Sequence, residues 1–431
     1  MPLAGRGVLF MNQEELIPHL FRTEYRKIVA VLGKRFGFDQ IEIAEDIASD
    51  TFLTAAQTWG IKGVPQNPTA WLYHVATNKA KNYLQRDSIR DSIRDSIYEN
   101  KVAPELKSNS SGIHEIDLSA QNINDSQLQM MFAICHPSIS PEAQTGLALR
   151  ILCGFGIEEI ADAFLTSKET INKRLYRAKE KLREEKINIE LPDASAIDER
   201  LATVLTTLYL LFNEGYYSVS QNKTLRKDLC LEAMRLCTML VENKYTNKPQ
   251  VNALLALMCF HASRFEARIN NNGELILYEE QDTNRWNADL ISKGGYFLHC
   301  AASGNKISKY HLEAGIAYWH TQKDDTKEKW ENILQLYNRL LQLEYSPIAA
   351  LNRTYALSKA NACLPDRQGK QEAITEAEKL NLTDNHFYFT LLGELYTDID
   401  NEKAKQNFQK AFALAKTQAD KQTIQKKIDK L

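Results

Sequence analysis

Apolar residues recur at helical spacing along most of the chain, and this periodicity constrains the fold more than any other feature. Residues 14–86, 126–186 and 199–431 show the helical pattern, and polar segments separate these three stretches. The sequence contains no regular alternation of strands and helices and no glycine-rich phosphate loop. The pattern therefore predicts an all-α protein.

Length and charge bound the number of domains and the kind of partner. A chain of 431 residues is too long for one ordinary hydrophobic core, so two or three domains are expected. The formal net charge is −2, and neither half of the chain is basic. Any surface for a nucleic acid must therefore be a local patch.

Cysteine spacing and hydropathy argue against several other classes of protein. The seven cysteines include no CxxC pair, which disfavours both a zinc site and a disulfide framework. No apolar run approaches the roughly 18 residues of a membrane span, and the first residues lack the features of a signal peptide. We therefore expect a cytoplasmic protein with no metal, no cofactor and no membrane partner.

Two short helices are predicted within IEEIADAFLTSKETINKRLYRAKEKLREE, which covers residues 157–185. The first helix has one apolar face, and Ser167 is suited to cap the N-terminus of the second. The second helix carries an apolar stripe at helical spacing, formed by Ile171, Leu175, Ala178 and Leu182.

The second helix of this pair is basic. From Lys168 to Lys186 there are eight basic and four acidic residues, and most of the basic ones lie off the apolar stripe. Two short helices joined by a tight turn, the second one basic, indicate a helix-turn-helix. In that motif the second helix enters the major groove and contacts base edges and phosphates. The alternative is an ordinary amphipathic helix with a solvated basic face.

A second pattern near the N-terminus combines acidic, aromatic and basic residues. Residues 42–59, EIAEDIASDTFLTAAQTW, place apolar side chains on one helix face and acidic ones on another. Glycines and prolines from Gly60 to Pro68 predict a loop. On the following helix, aromatic residues are interleaved with cations, which suits an unstacked single-stranded base. The alternative for Trp71 is burial in the core.

Both patterns resemble parts of bacterial sigma-70-type factors of the extracytoplasmic-function type. Residues 157–185 resemble region 4, whose second helix reads the −35 promoter element. Residues 42–86 resemble region 2, which docks on RNA polymerase and holds the melted −10 element. The partners that the resemblance implies are promoter DNA and the RNA polymerase core, through its β′ clamp and β flap.

The resemblance also implies a role for individual residues. The implied −35 contacts are Ser167, Lys168, Thr170, Lys173, Arg174 and Arg177. The implied −10 contacts are Trp71, Asn78, Lys79 and Arg86. The implied polymerase contacts are Asp46, Asp50, Phe52 and Trp59.

By the same resemblance the chain divides into two small sigma domains and a long extension. Region 2 would be a helical bundle over 10–90, followed by a flexible linker over 91–125 and by region 4 over 126–187. Residues 196–431 resemble the large helical extension of one subgroup of these factors, and 346–431 take on a tetratricopeptide-like, repeated pattern. Such helix stacks present surfaces for a protein or peptide, so an unknown partner is expected there.

The sequence thus predicts a transcription-initiation factor, not an enzyme, whose C-terminal helices modulate its activity. The alternative is a helical-repeat adaptor whose helix-turn-helix binds DNA without initiating transcription. An enzyme in the C-terminal half is a third hypothesis, because FNEGYY offers Glu214 as an acid or base. No geometry of base, orienting group and substrate is indicated there. We interpret Gly215 instead as the end of a helix.

Overall fold

A computed structural model describes residues 13–99, 116–193, 195–217, 223–268, 276, 278–361, 368–415 and 418–431. Within these residues every regular element is a helix, which confirms the all-α prediction. The chain forms two compact units, Met1–Met239 and Leu240–Leu431.

Nine α-helices are described up to the end of the first unit. Their bounds are α1 Gln13–Phe36, α2 Ile41–Lys62, α3 Pro68–Glu99, α4 Ala120–Ile134, α5 Pro141–Leu147, α6 Ile157–Ala163, α7 Lys168–Glu184, α8 Ile197–Tyr217 and α9 Lys223–Glu242. The last of these begins in the first unit and ends just past its boundary. A π-helical turn at Ala148–Leu152 follows α5 directly.

Helix α1 is central to the packing of the first unit. It packs against both α2 and α4, and its residues Ile28 and Leu32 are fully buried. Gly33 allows α1 and α4 to approach closely, because a Cβ at this position would lie 2.6 Å from the Met130 Cε. The predicted break between 187 and 196 lies inside this unit, since the unit continues to Met239.

The helices take up parts of two segments that we predicted to be irregular. Helix α2 continues through Gly60 to Lys62, and Pro68 is the first residue of α3. Proline is tolerated at this position because the first N–H groups of a helix have no carbonyl partner within the helix. The predicted loop from Gly60 to Pro68 is therefore shorter, with Gly63 at φ 81°. Helices α3 and α4 also take up both ends of the predicted linker, 91–125, and its residues 100–115 lie outside the described residues.

Ten α-helices are described in the second unit. Their bounds are α10 Pro249–Ala262, α11 Phe265–Arg268, α12 Ala288–Ala301, α13 Lys309–Trp319, α14 Lys327–Leu343, α15 Pro347–Ala360, α16 Gln368–Leu380, α17 His386–Tyr396, α18 Asn401–Leu414 and α19 Gln418–Ile428. From α12 onwards, helices that follow one another along the chain pack against each other.

Small residues set the spacing between helices in this second unit. At Gly393 on α17 a Cβ would lie 2.6 Å from the ring of Phe408 on α18. At Gly294 on α12 a Cβ would lie 2.6 Å from the Phe260 ring on α10. The neighbouring Gly295 has no atom within 4 Å of its Cβ position.

The adjacent glycines of α12 give a matched test of this packing. Gly294→Ala forces the Phe260 ring to move, and overpacking of this kind costs about 1–3 kcal/mol of unfolding free energy. Gly295→Ala adds a methyl group to open space and gains helix propensity, worth about 0.5–1 kcal/mol. Urea denaturation should show a lower midpoint for the first variant only, and equal midpoints would contradict the close approach of α10 and α12.

Candidate nucleic-acid interface

A tight turn joins helices α6 and α7 and fixes the start of the second helix. Leu165 in the turn has φ 48°, a left-handed conformation that reverses the chain direction. Ser167 then caps α7, since its Oγ accepts a hydrogen bond from the backbone N–H of Thr170 at 3.2 Å. The two short helices predicted within 157–185 and the predicted serine cap are confirmed.

The predicted apolar stripe of α7 is buried. Its four residues, Ile171, Leu175, Ala178 and Leu182, are at most 5% exposed. The stripe packs closely against α5 at Gly146, since a Cβ at Gly146 would lie 3.1 Å from Leu175 Cδ2. Packing against α5 and α6 therefore determines which side of α7 faces outward.

The outward side of α7 carries most of the predicted −35 contacts. The exposed residues among them are Ser167, Lys168, Thr170, Lys173 and Arg177. Arg174 is half-buried, and its guanidinium carbon lies 5.5 Å from the centre of the Phe164 ring. Lys168 pairs with Glu158 of α6, and this exposed pair is weak because water screens both charges.

A groove runs beside the exposed side of α7. Its volume is ≈ 410 Å³, and its lining residues are Ile139, Ser140, Ala143, Thr170, Lys173, Arg174, Arg177 and Ala178. Three cations on one wall face a short, mainly apolar wall that begins with the cap of α5. The groove can accept an anion along the cationic wall, such as a phosphate of a nucleic-acid backbone.

Two glutamates stand at the helix N-termini near this groove. A hydrogen bond with its own backbone amide, followed by one with the Ser167 hydroxyl, lowers the pKa of Glu169. A hydrogen bond with its own backbone amide, followed by one with Ser140, also lowers the pKa of Glu142, and Arg174 adds a smaller effect. Both carboxylates are thus held in the charged form, which limits the positive potential at the edges of the groove.

The opposite side of α7 does not face solvent. Lys179 is 8% exposed, and its Nζ lies 2.5 Å from the Glu45 Oε2 on α2. Arg183 pairs with Glu42 and donates from Nε to the Phe38 carbonyl oxygen at 2.7 Å. The basic surplus that we counted along α7 is therefore smaller at the surface, because these two cations are used inside the unit.

Helix α2 separates into a buried apolar face and an exposed acidic face. Phe52 and Trp59, which we predicted as polymerase contacts, are only 4% and 2% exposed. Both side chains pack into the core, so neither forms part of the exposed face of α2, and their role in polymerase binding stays a prediction. Asp46 and Asp50 are exposed. Sequence reasoning missed two apolar side chains at the surface of the same helix, Leu53 at 55% and Ile61 at 87% exposure.

The predicted −10 contacts lie on α3. Trp71 is half-buried, and its ring packs edge-on against Trp59 with 5.3 Å between centroids. Asn78 and Arg86 are exposed, and the Asn78 Nδ2 lies 2.9 Å from the His74 Nε2. Lys79 pairs with Asp50 of α2. The structure thus brings two predicted DNA contacts, Trp71 and Lys79, each against a predicted polymerase contact.

Neither a metal site nor a membrane span is found in the described part of the chain. Among the described residues, no group of three or more His, Cys, Asp or Glu side chains is arranged to hold a metal ion. Across the same residues, no helix combines the length and apolar character needed to cross a bilayer.

Comparison with protein families gives two matches. Residues 20–89 match sigma-70 region 2, and this segment contains the acidic helix α2 and most of the described part of α3. Residues 200–302 match a family of unknown function, DUF6596. The first match lies within the segment 10–90 that the sequence patterns assigned to region 2.

Two curated proteins are similar to the chain over different lengths. The uncharacterized protein R00370 of Rhizobium meliloti is 31% identical over 402 residues, which cover 91% of each chain. The ECF RNA polymerase sigma-E factor of Haemophilus influenzae is 29% identical over 113 residues, which are 26% of this chain and 57% of that protein. No solved structure matches the chain.

The cap of α7 gives a local test of the interface geometry. Ser167→Ala removes the oxygen that accepts from the Thr170 amide, and loss of such a cap costs about 1 kcal/mol of helix stability. Ser167→Asp retains an acceptor and should leave the helix intact. Native-state hydrogen exchange should show faster exchange of the first α7 amides in Ser167→Ala alone. Equal exchange in both variants would contradict the capping role.

Proposed function

Because this chain belongs to the same family as protein R00370 of Rhizobium meliloti and carries a sigma-70 region 2, we propose that it is a sigma factor. It would direct core RNA polymerase to specific promoters and initiate transcription. The observation that carries the proposal is the match of residues 20–89 to sigma-70 region 2. The similarity to an ECF sigma-E factor over 113 residues supports the same assignment.

The exposed face of α2 is the proposed docking site for polymerase. Asp46 and Asp50 supply negative charge on this face. Leu53 and Ile61 supply apolar surface that is exposed in the first unit. Exposed apolar side chains beside charged ones are typical of a protein interface. Phe52 and Trp59 would act indirectly, since they anchor the helix in the core. We propose that this face binds the β′ clamp of the polymerase and that the region around α7 binds the β flap.

The N-terminal half of α7 is the proposed contact with the −35 element. Ser167, Lys168, Thr170, Lys173 and Arg177 are exposed there, and the adjacent groove offers cations to the backbone. Threonine and arginine near the start of such a helix suit base edges, and lysines suit phosphates. This arrangement supports a helix-turn-helix that inserts α7 into the major groove.

The proposed contact with the −10 element is the outer face of α3. Asn78 and Arg86 are exposed, and Trp71 offers part of an aromatic ring for stacking. Lys79 would exchange its pairing with Asp50 for a DNA phosphate. Promoter melting by this route would need no catalytic step. The free energy of binding the captured bases would offset the free-energy cost of unstacking them.

We expect no catalysis by this protein, which would act in the cytoplasm. Burial raises the pKa of Glu214, but desolvation alone defines no substrate site. Helix α8 continues past Gly215 to Tyr217, so our interpretation of Gly215 as a helix end was wrong. Residues 213–215 belong to a continuous helix that contributes to packing.

Run-off transcription with purified core polymerase tests the proposal. The full-length chain should yield promoter-specific transcripts, and core polymerase alone should not. Absence of transcripts from any genomic promoter fragment, with DNA binding retained, would instead favour the helical-repeat adaptor. The match to sigma-70 region 2 would then reflect a fold used for a different purpose.

Two substitutions on α7 should separate DNA contacts from folding. Lys173→Ala and Arg177→Ala should each weaken binding to a −35 duplex by about 1–3 kcal/mol, measured by fluorescence anisotropy at fixed salt. Lys181→Ala is the matched control, because this lysine is on the same helix but lies outside the groove. Equal losses in all three variants would indicate a general charge effect and contradict the groove contact.

The second unit is proposed to modulate initiation through a partner. A groove of ≈ 270 Å³ lies between α15 and α17, and its lining residues are Ile348, Leu351, Asn352, Tyr355, Phe387, Thr390, Leu391 and Glu394. Ile348 and Phe387 are 46% and 53% exposed. An open, largely apolar groove between stacked helices suits a peptide, as in tetratricopeptide-like repeats.

Removal of the second unit tests this modulation. The deletion should begin after Glu242, because α9 belongs mainly to the first unit and its Glu232 pairs with Arg26 of α1. Deleting 243–431 should leave a folded first unit and change the yield of run-off transcripts at least severalfold. The same yield from the full-length and shortened chains would contradict a modulatory role for the second unit.

A further inference from the structure

Helix α8 packs against the two helices that precede the pair α6 and α7. Its buried face includes Val204, Leu208 and Leu211, which are at most 1% exposed, and it contacts both α4 and α5. Most of α8 lies within residues 200–302, which match the family of unknown function. This part of the chain therefore contributes to the core beneath α5, and α5 in turn packs against α7.

One buried amide organises the segment between α4 and α5. Gln144 on α5 is 3% exposed, and its Nε2 donates to the carbonyl oxygens of His136 and Ile139, each at 3.0 Å. Because both hydrogens of the amide nitrogen are used in this way, the Oε1 atom needs a donor from another part of the unit. A buried acceptor without a donor would be strongly unfavourable.

Helix α8 supplies that donor. The hydroxyl of Thr207, which is fully buried, donates to the Gln144 Oε1 at 2.9 Å. The same side chain forms a hydrogen bond with Cys135, the residue that follows α4. Arg200, about two turns earlier on α8, donates from Nη2 to the Phe132 carbonyl oxygen at 2.6 Å. Helix α8 thus holds the segment from the end of α4 to the start of α5 at both of its ends.

The same segment forms one wall of the groove beside α7. Ile139, Ser140 and Ala143 line this groove together with the cations of α7. The carbonyl oxygen of Ile139 is bonded to Gln144, and Gln144 is bonded to Thr207. A continuous chain of hydrogen bonds therefore runs from α8 to the groove wall. We call Thr207, Gln144 and Arg200 the buttress.

The position of this wall determines how a DNA backbone can lie in the groove. A phosphate that approaches the cations of α7 must also fit against the segment 139–143, so the wall sets how closely the backbone approaches Lys173 and Arg177. A binding site of this kind needs its lining held to within about 0.5 Å by supporting residues. Among the described residues that line the groove, none belongs to the buttress, so the buttress would act by positioning.

We propose that α8 is a fixed part of the −35-binding domain and that Thr207, Gln144 and Arg200 are positioning residues that hold the groove wall for DNA. This inference rests on the proposed function, because the occupant of the groove is the −35 duplex. It gives the first part of the family of unknown function a role in promoter binding that is separate from modulation by the second unit. A chain that ended with α7 would lack part of its DNA-binding domain.

Thr207→Val in the full-length chain tests the buttress. Valine has nearly the shape of threonine but removes the donor, so the buried Gln144 oxygen loses its partner. The Kd for a −35 duplex, cut from a promoter fragment that yields run-off transcripts, should rise roughly two- to tenfold in fluorescence anisotropy at fixed salt. Thr207→Ser keeps the hydroxyl and should restore binding. Thr206→Val is the matched control, because the Thr206 hydroxyl donates within α8 to the Ala202 carbonyl oxygen.

A double substitution separates positioning from a loss of folded protein. If the wall brings the backbone to Lys173, then Lys173→Ala should weaken binding by a smaller factor in the Thr207→Val chain than in the wild type. In the Thr206→Val chain the factor for Lys173→Ala should be that of the wild type. A variant that is merely part unfolded has a smaller active fraction, which leaves the factor for Lys173→Ala unchanged.

The outcomes distinguish the buttress from the proposed function. Equal Kd values for Thr207→Val and the wild type would overturn the buttress and leave the −35 contact in place. The same factor for Lys173→Ala in the wild-type and Thr207→Val chains would also overturn it. Failure of the wild type to bind any genomic promoter duplex would overturn the proposed −35 contact, and with it the role of the buttress in DNA binding.

Discussion

The packing of the first unit depends on how the charge of one buried carboxylate, that of Glu45, is neutralised. Glu45 lies on α2 among fully buried residues such as Ile41, Ala44 and Ala48, where an isolated negative charge would be strongly unfavourable. Lys179 from α7 and Arg150 from the π-helical turn approach its two oxygens. This requirement brings three separate segments of the chain to one point. It also fixes the rotation of α7, because Lys179 must point inward while Lys173 and Arg177 remain at the surface.

Local features of this fold follow from the sequence, and long-range ones do not. The apolar stripe of α7 and its Ser167 cap depend on residues within one or two helical turns, so helical periodicity and capping rules predict them. The burial of Phe52 and Trp59 also follows from periodicity, since both share the apolar face of α2. Family resemblance led us to treat them as contacts, although a side chain can be essential to a docking helix by holding it in the core. The pairing of Glu45 with Lys179 spans 134 residues, and no local pattern predicts it.

The boundary of the first unit shows why a polar break is a weak marker of a domain end. The segment around 187–196 contains proline and polar residues, which predict an interruption of helix. The interruption is present, yet the next two helices return to the same core. Leu201, Leu208 and Leu236 are buried, and Arg235 of α9 donates to the Leu152 carbonyl oxygen at 2.8 Å. Composition reports where the backbone turns, whereas a domain boundary depends on which apolar faces cover each other.

The charges of α2 connect the two proposed DNA surfaces with the proposed polymerase surface. Asp50 pairs with Lys79 on α3, and Glu42 and Glu45 pair with Lys179 and Arg183 on α7. One acidic helix therefore neutralises cations on both of its neighbours. A partner that binds the exposed carboxylates of α2 would compete for Asp50 and increase the positive charge available on α3. The Glu45 carboxylate is 9% exposed and out of reach of such a partner, so its pairing with Lys179 of α7 does not depend on what binds Asp50. Helix α2 is therefore paired through the exposed Asp50 to the proposed −10 surface and through the buried Glu45 to the helix of the proposed −35 surface.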